Sequence, residues 1–300
     1  MRLLAKVAAV AILLRPAFAD PIAQPTAPDT SVVLHVTVTD QDQRIVASLA
    51  KDDFEIYDNG KVQTLTSFDV NPQPLNLVVM LDTSGSMAAA RGVIESASRA
   101  ANELLMRLSV EDKGLVGSFN DKITFRPAGG FTGSVELLQN GLKQLPVGYP
   151  TRLYDALGET IERLETTRGR RAIVVLTDGD DNSSKLYAGE IEKRARIAEV
   201  AIYGIGIVTE YINEQGRIRS SPGRDLKNLC AESGGTMPVL KNSAEWGQAF
   251  ARIAEELHSQ YAIGFSPQAD RKVHKLDVKL KKPGLTARAR KSYVAAATNR

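Results

Sequence analysis

The chain has 300 residues, 43% of them hydrophobic and 24% charged, an ordinary globular composition with room for one large domain or two smaller ones. The formal net charge of +3 sits entirely in the first 19 residues, where Arg2, Lys6 and Arg15 face no acid and leave 35 basic against 35 acidic residues in the remainder. Overall charge therefore offers no case for a nucleic-acid partner, and a single cysteine, Cys230, excludes an intrachain disulfide.

In chain order, Arg2 and Lys6 precede an apolar stretch over residues 7–14, and Ala17-Phe18-Ala19 supplies a small-x-small cleavage site. Residues 1–19 read as a secretory signal peptide, too short to span a bilayer, so the mature chain is expected to be periplasmic or secreted and to begin at Asp20. Residues 20–30, rich in Pro and Ala, read as a linker. Residues 31–73 form an N-terminal β segment: 32–39 alternates and is β-branched, 54–57 ends in the hairpin signal Asp58-Asn59-Gly60, and 62–68 is its expected partner.

From Leu75 the pattern changes to strands alternating with helices. Apolar residues 77–81 form a continuous run, as in a parallel strand buried on both faces. Ile94, Ala97, Ala101, Leu104, Leu105 and Leu108 recur at helical spacing, 115–119 and 123–125 read as an edge hairpin, and 135–145 as a helix stopped by Pro146. A helix follows Thr151, residues 173–176 and 202–208 are buried strands around a helix over 188–199, and 236–240 is a further strand. Trp246, Phe250, Ile253, Leu257 and Tyr261 mark the last helix, with Asn242 and Glu245 placed as a capping pair. After it, 262–265, 275–280 and 287–294 return to strands without a helix among them. Cys230, on a short amphipathic helix, is expected to be a buried, inert thiol.

The chemistry concentrates at the end of the strand 77–81, in Asp82-Thr83-Ser84-Gly85-Ser86. Ligands of open α/β sheets sit beyond the carboxyl ends of such strands. One carboxylate and two hydroxyls there supply half of an octahedral oxygen shell, which suits Mg²⁺ or Mn²⁺. Alone, the spacing is also that of ordinary helix caps. It gains weight from Thr151, which opens a helix, and from Asp178, which ends the strand 173–176. With D-x-S-x-S, a distant Thr and a distant Asp in this order, residues 74–261 resemble the von Willebrand factor type A domain family and its metal-ion-dependent adhesion site. The resemblance implies that Asp82, Ser84, Ser86 and Thr151 touch a divalent cation (Mg²⁺, or Mn²⁺ or Ca²⁺) directly or through water, with Asp178 an outer or water-mediated ligand. It also implies that a carboxylate of a bound protein partner completes the shell.

Other chemistries find less support. Gly-x-Ser-x-Gly is absent, and His35, His258 and His274 lack ligand spacing, so each is expected to be structural. A haloacid-dehalogenase-like phosphatase would need an Asp where Ser84 stands, and Gly204-x-Gly206 lacks the third glycine of a dinucleotide loop. Asp180, Asp181 and Asn182 lack the spacing and final Glu of an EF-hand and read as loop residues that make this face acidic. Residues 210–224 read as a long polar loop on the same face, either a recognition element or a surface excursion. Residues 270–291, with nine basic and two acidic side chains, read as solvated strand faces, with at most a peripheral contact to anionic lipid or polysaccharide.

The expected architecture is α/β: a doubly wound, Rossmann-like domain at 74–261 inserted into a small β-sandwich that residues 31–73 and 262–296 build together. Each terminal strand set lacks a second apolar layer, and the other set is the available one. The expected role is a non-enzymatic, cation-dependent protein-binding module of the cell envelope. The competing role is a structural scaffold in an envelope assembly, where the cation only stabilises loops.

Overall fold

The computed structural model describes residues 31–70, 73–143, 145–179, 181–213 and 216–295. The expected signal peptide and linker, residues 1–30, lie outside the described residues, as does Asp180. Among the described residues no helix is long and apolar enough to cross a membrane.

The alternating N-terminal stretch forms β1 (Val32–Thr39), followed by β2 (Phe54–Asp58), β3 (Lys61–Gln63) and β4 (Leu65–Asp69). Asn59 and Gly60, both at positive φ (47° and 80°), make the tight β2–β3 turn that a right-twisted hairpin requires. The expected partner strand 62–68 is in fact two strands. Residues 61–63 pair with β2, and after Thr64 the chain crosses to the other sheet as β4. Carrying Leu65 and Phe68 over to the opposite sheet lets both pack against the shared core.

The α/β unit follows as β5 (Leu75–Asp82), α1 (Gly85–Ala89), α2 (Val93–Leu105), β6 (Lys113–Phe119), β7 (Ile123–Arg126), α3 (Val135–Gly141), α4 (Leu153–Glu165) and β8 (Arg170–Thr177). It continues through α5 (Ala188–Ala198), β9 (Val200–Ile207), β10 (Thr209–Asn213), β11 (Gly216–Ser220), α6 (Arg224–Glu232), β12 (Val239–Leu240) and α7 (Trp246–His258). The strand order β12-β9-β8-β5-β6-β7 is parallel except for the edge strand β7. Every residue of β5 is buried, as its continuous apolar run predicts, because helices cover both faces. On one face Leu77, Val79 and Leu81 meet α2 and α7; on the other Val78 and Met80 meet α4 and α5.

Three expectations change here. The helix 135–145 ends at Gly141, and the strand 236–240 shortens to β12. The polar loop at 210–224 is largely the hairpin β10–β11, with Thr209 opposite Ser220. Cys230 is buried, and burial pushes its thiol up to about 12, so it stays protonated.

The chain closes with β13 (Tyr261–Phe265), β14 (Val273–Leu280), β15 (Thr286–Arg288) and β16 (Ser292–Val294). Tyr261, expected at the end of the last helix, instead opens β13. Its hydroxyl accepts from the Leu49 amide and donates to the Val46 carbonyl, which ties the 40–50 segment down. The single strand expected over 287–294 is likewise two, β15 and β16, placed in different sheets. The terminal strands form two four-stranded sheets, β15-β1-β13-β4 and β16-β14-β2-β3, each drawing strands from both ends of the chain. Between them lies one apolar core containing Leu34, Val36, Ile56, Ile263 and Phe265. The small β-sandwich built from both termini is therefore present, with the doubly wound domain inserted in it.

Candidate functional site

β5 sits in the middle of the sheet, with β6 on one side and β8 on the other. Crossovers diverge there, and a crevice opens beyond the carboxyl ends. Asp82 is the last residue of β5, and Asp178 follows the last residue of β8. Both are within 1% of complete burial.

Four of the five expected site residues are joined by hydrogen bonds. Asp82 Oδ1 accepts the Ser84 amide at 2.8 Å, which turns the loop so that Ser84 and Ser86 face each other, Oγ to Oγ, at 3.3 Å. Ser86 Oγ donates to Asp178 Oδ1 at 2.8 Å. Ser84 precedes α1 as its N-cap but makes no side-chain capping bond, so its hydroxyl is turned to the site and not to the helix. Thr151 is placed by its backbone: its amide donates to Asn182 Oδ1 at 2.9 Å, and its carbonyl accepts the Asn182 amide at 3.2 Å. Among the described residues its hydroxyl bonds none of the other four.

The loop before Thr151 is drawn to the same place. The Gly148 amide donates to the Thr83 carbonyl at 3.2 Å, and Asn120 Nδ2 bridges Thr83 Oγ1 and the Pro146 carbonyl. The Tyr149 ring then lies over Gly85, where a Cβ would come within 1.5 Å of a ring carbon. Any larger residue at the centre of D-x-S-x-S would require the exposed Tyr149 ring to move aside.

Several residues that sequence reasoning did not single out hold the carboxylates. Thr177 Oγ1 donates to Asp82 Oδ2 at 2.5 Å. Thr209 Oγ1 donates to Asp178 Oδ2, and Ser220 Oγ to the Asp178 carbonyl, so the β10–β11 hairpin is fastened to the site through both its ends. Thr177 had a signal, its place at the end of a strand beside Asp178. Thr209 and Ser220 had none, because a residue's pairing across a hairpin cannot be read from an irregular polar stretch. The expected loop residue Asp181 turns inward, accepting from Ser184 at the start of the segment that leads to α5.

The electrostatics are uncompensated. Burial pushes the Asp82 carboxyl up to about 6, against the hydrogen bonds from Ser84 and Thr177, and raises Asp178 as well. Among the described residues neither carboxylate has an ion pair, and no cluster of three His, Cys, Asp or Glu side chains is present. Two carboxylates ringed by Ser and Thr hydroxyls form a hard-oxygen donor set that lacks a positive charge. A divalent cation fits that donor set.

Fold and site together define an α/β domain with an oxygen-lined cleft at the switch point of a doubly wound sheet. The family model of the von Willebrand factor type A domain matches residues 77–180, so that stretch of the chain is similar to this family. Among solved structures, a von Willebrand factor type A protein from Catenulispora acidiphila is 14% identical, with a TM-score of 0.53 over 82% of this chain and 73% of that one. An aerotolerance-related membrane protein from Bacteroides fragilis is 19% identical, with a TM-score of 0.51 over 61% of this chain and 98% of that one. Proximal thread matrix protein 1 from the mussel byssus, described with a zinc-occupied adhesion-site motif, is 15% identical, with a TM-score of 0.53 over 65% of this chain and 48% of its own length. At these identities the likeness is one of fold. No curated protein matches the chain.

Proposed function

We propose that this protein is a divalent-cation-dependent protein-binding module exported to the cell envelope. The observation that carries the reading is the pair of buried carboxylates, Asp82 and Asp178, surrounded by hydroxyls and without a cationic partner among the described residues. Asp82, Ser84, Ser86 and Thr151 would hold the ion, with Asp178 oriented by Thr209 and Ser86 as a water-mediated ligand. The bound ion supplies a positive, Lewis-acidic point at the surface of the cleft. Mg²⁺ is the ion that oxygen donors of this kind favour, with Mn²⁺ and Ca²⁺ the alternatives. The zinc-occupied motif described for the mussel protein supports a metal at this position. With no histidine or cysteine at the cleft to act as base or nucleophile, the role is recognition: an Asp or Glu carboxylate of a protein partner completes the shell. The leader at residues 1–19 and the membrane-protein description of the Bacteroides fragilis neighbour support an envelope location.

Calorimetric titration with Mg²⁺ should give saturable binding for the native chain and none for Asp82→Ala. Equal binding by the two would remove the site. Capture of partners from envelope extract should be lost in EDTA. If EDTA lowers the melting temperature but leaves capture intact, the cation only stabilises loops and the scaffold role replaces this one.

A further inference from the structure

At the end of the α/β sheet opposite Asp82, the sandwich packs against the amino-terminal ends of β5, β8 and β9. A cavity of about 200 Å³ lies in this seam. Its walls include Arg170 and Arg171 from β8, Arg196 from α5 and Arg290 from the sandwich, with His35 of β1 beside them. Three carboxylates also line it, and each already has a cation. Glu192 pairs with Arg196, Glu199 with Arg290 at 2.7 Å, and Glu232 with Lys291 at 3.1 Å.

Among the described residues neither Arg170 nor Arg171 forms an ion pair, although the Asp112 carboxylate lies near enough to Arg170 to favour its charge. Arg170, 5% exposed, donates Nη2 to the Leu257 carbonyl and to Gln260 Oε1, both at 2.6 Å. Arg171 donates to the carbonyls of Ala198 and Thr167. Carbonyl dipoles, including those at the C-terminal end of α5, offset part of each charge but do not neutralise it. The seam therefore holds two guanidinium groups without an ion-pair partner among the described residues, Arg170 having only the more distant Asp112 as counter-charge.

Donors remain as well. Among the described residues Nε and Nη1 of Arg170 and Nη1 of Arg196 have no hydrogen-bond partner. Arg171 Nε and His35 Nδ1 are buried without one. The field of the seam is visible in His35: burial, with Arg170 and Arg290 adding to it, pushes the imidazole down to about 3, so it stays neutral. The Glu199 side chain at the rim is 58% exposed, so the cavity reaches the surface.

We propose that this seam binds a small doubly charged oxyanion, of which inorganic phosphate is the simplest, held between the α/β domain and the sandwich. Guanidinium groups match such anions in geometry as well as charge. An occupant touching Arg170 and Arg196 on one side and the Arg290 region on the other would tie the two units together. The inference does not depend on the cation site.

The test uses the full chain in EDTA, with inorganic phosphate as probe and chloride at matched ionic strength as reference. Phosphate should bind saturably by calorimetry and raise the melting temperature, while chloride does neither. Arg196→Gln should weaken phosphate about tenfold or more. Arg219→Gln, on the exposed face of the β10–β11 hairpin, should leave it unchanged. Should Arg196→Gln not fold, amide shifts in the native chain decide the matter. Phosphate should move residues 170–172 and 233–234 and leave 84–86 in place. Indistinguishable behaviour in phosphate and chloride, equal weakening in the two variants, or shifts confined to other regions would overturn the proposal.

Discussion

Buried aspartates lie in two different parts of this molecule, and the chain treats them in opposite ways. In the sandwich, Asp58 is 4% exposed and accepts from His274 Nδ1 at 2.7 Å and from the Tyr293 hydroxyl at 2.8 Å. His274 Nε2 meets Asp270 at 2.9 Å. Burial works against the imidazolium, but the bonds to Asp270 and Asp58 outweigh it and raise His274 above its ordinary value. That cluster joins β2, β14 and β16, and the buried Asp58 carboxylate has a basic partner within it. At the cleft, Asp82 and Asp178 are as deeply buried, receive only hydroxyl and amide donors, and have their carboxyls raised. Burial is common to both. What separates them is that the fold delivers a basic side chain to Asp58 and, among the described residues, none to Asp82 or Asp178.

The strongest way to test the division is to remove one region. Deleting residues 267–300 takes away β14, β15 and β16, and with β14 the partner that backs β2. Residues 31–70 should then be cut rapidly by protease while residues 75–258 stay resistant. Continued protection of 31–70 would mean that the sandwich does not need both ends of the chain.

Next in size is the contrast between the two aspartates. Asp58→Ala strands the buried His274 and should cost about 3–5 kcal/mol in urea unfolding. Asp82→Asn in EDTA relieves a buried charge, so it should leave stability equal to or above that of the native chain. A loss for Asp82→Asn matching that for Asp58→Ala would break the comparison.

The pH dependence separates the regions further. Asp82 has a folded value of about 6, above the ordinary carboxyl value near 3.8. Its contribution to apo stability is therefore fully present below that ordinary value and is lost as pH rises towards 6. His274 is raised from 6.5, so its contribution is full below that value and is lost as pH climbs through the higher folded value. His258, held up chiefly by its hydrogen bond to Asp112, acts in the same direction and window. Urea midpoints in EDTA should thus fall in two steps. Asp82→Asn should remove much of the lower step, and His274→Gln should shrink the upper one. A single step unaffected by either substitution would contradict this assignment. Cation binding should show the opposite trend, weakening as acid protonates Asp82.

The smallest expected effect is that of Thr177→Val, which deletes the 2.5 Å bond to Asp82 Oδ2 without touching the core. Outer-shell partners of this kind are worth about tenfold or more in metal affinity. An unchanged Mg²⁺ titration would show that Thr177 only fills space.

Much of this molecule was legible in the linear chain because the relevant signals are local. The eight buried residues of β5, the alternation of β1 and the Asn59-Gly60 turn each follow from a period or a backbone preference within a few positions. The five oxygen-bearing residues stand at strand ends or helix starts, where side chains must project, and four of them are joined by hydrogen bonds. The crossing at Thr64 was not, because nothing in residues 61–69 states which sheet each half will join. The hairpin at 209–220 read as a loop for a similar reason: its pairing is specified by its packing over the cleft more than by its own alternation.

The sequence by itself determined most element types and the doubly wound order, since those depend on periodicity and on the chemistry of single residues. Only the tertiary structure decided which charges are balanced. His274 lies 216 positions from Asp58 and reaches it across the sandwich, whereas among the described residues neither Asp82 nor Arg170 forms an ion pair. Charge compensation in a buried site is a property of distance in space, and distance in space is what the linear order of residues does not contain.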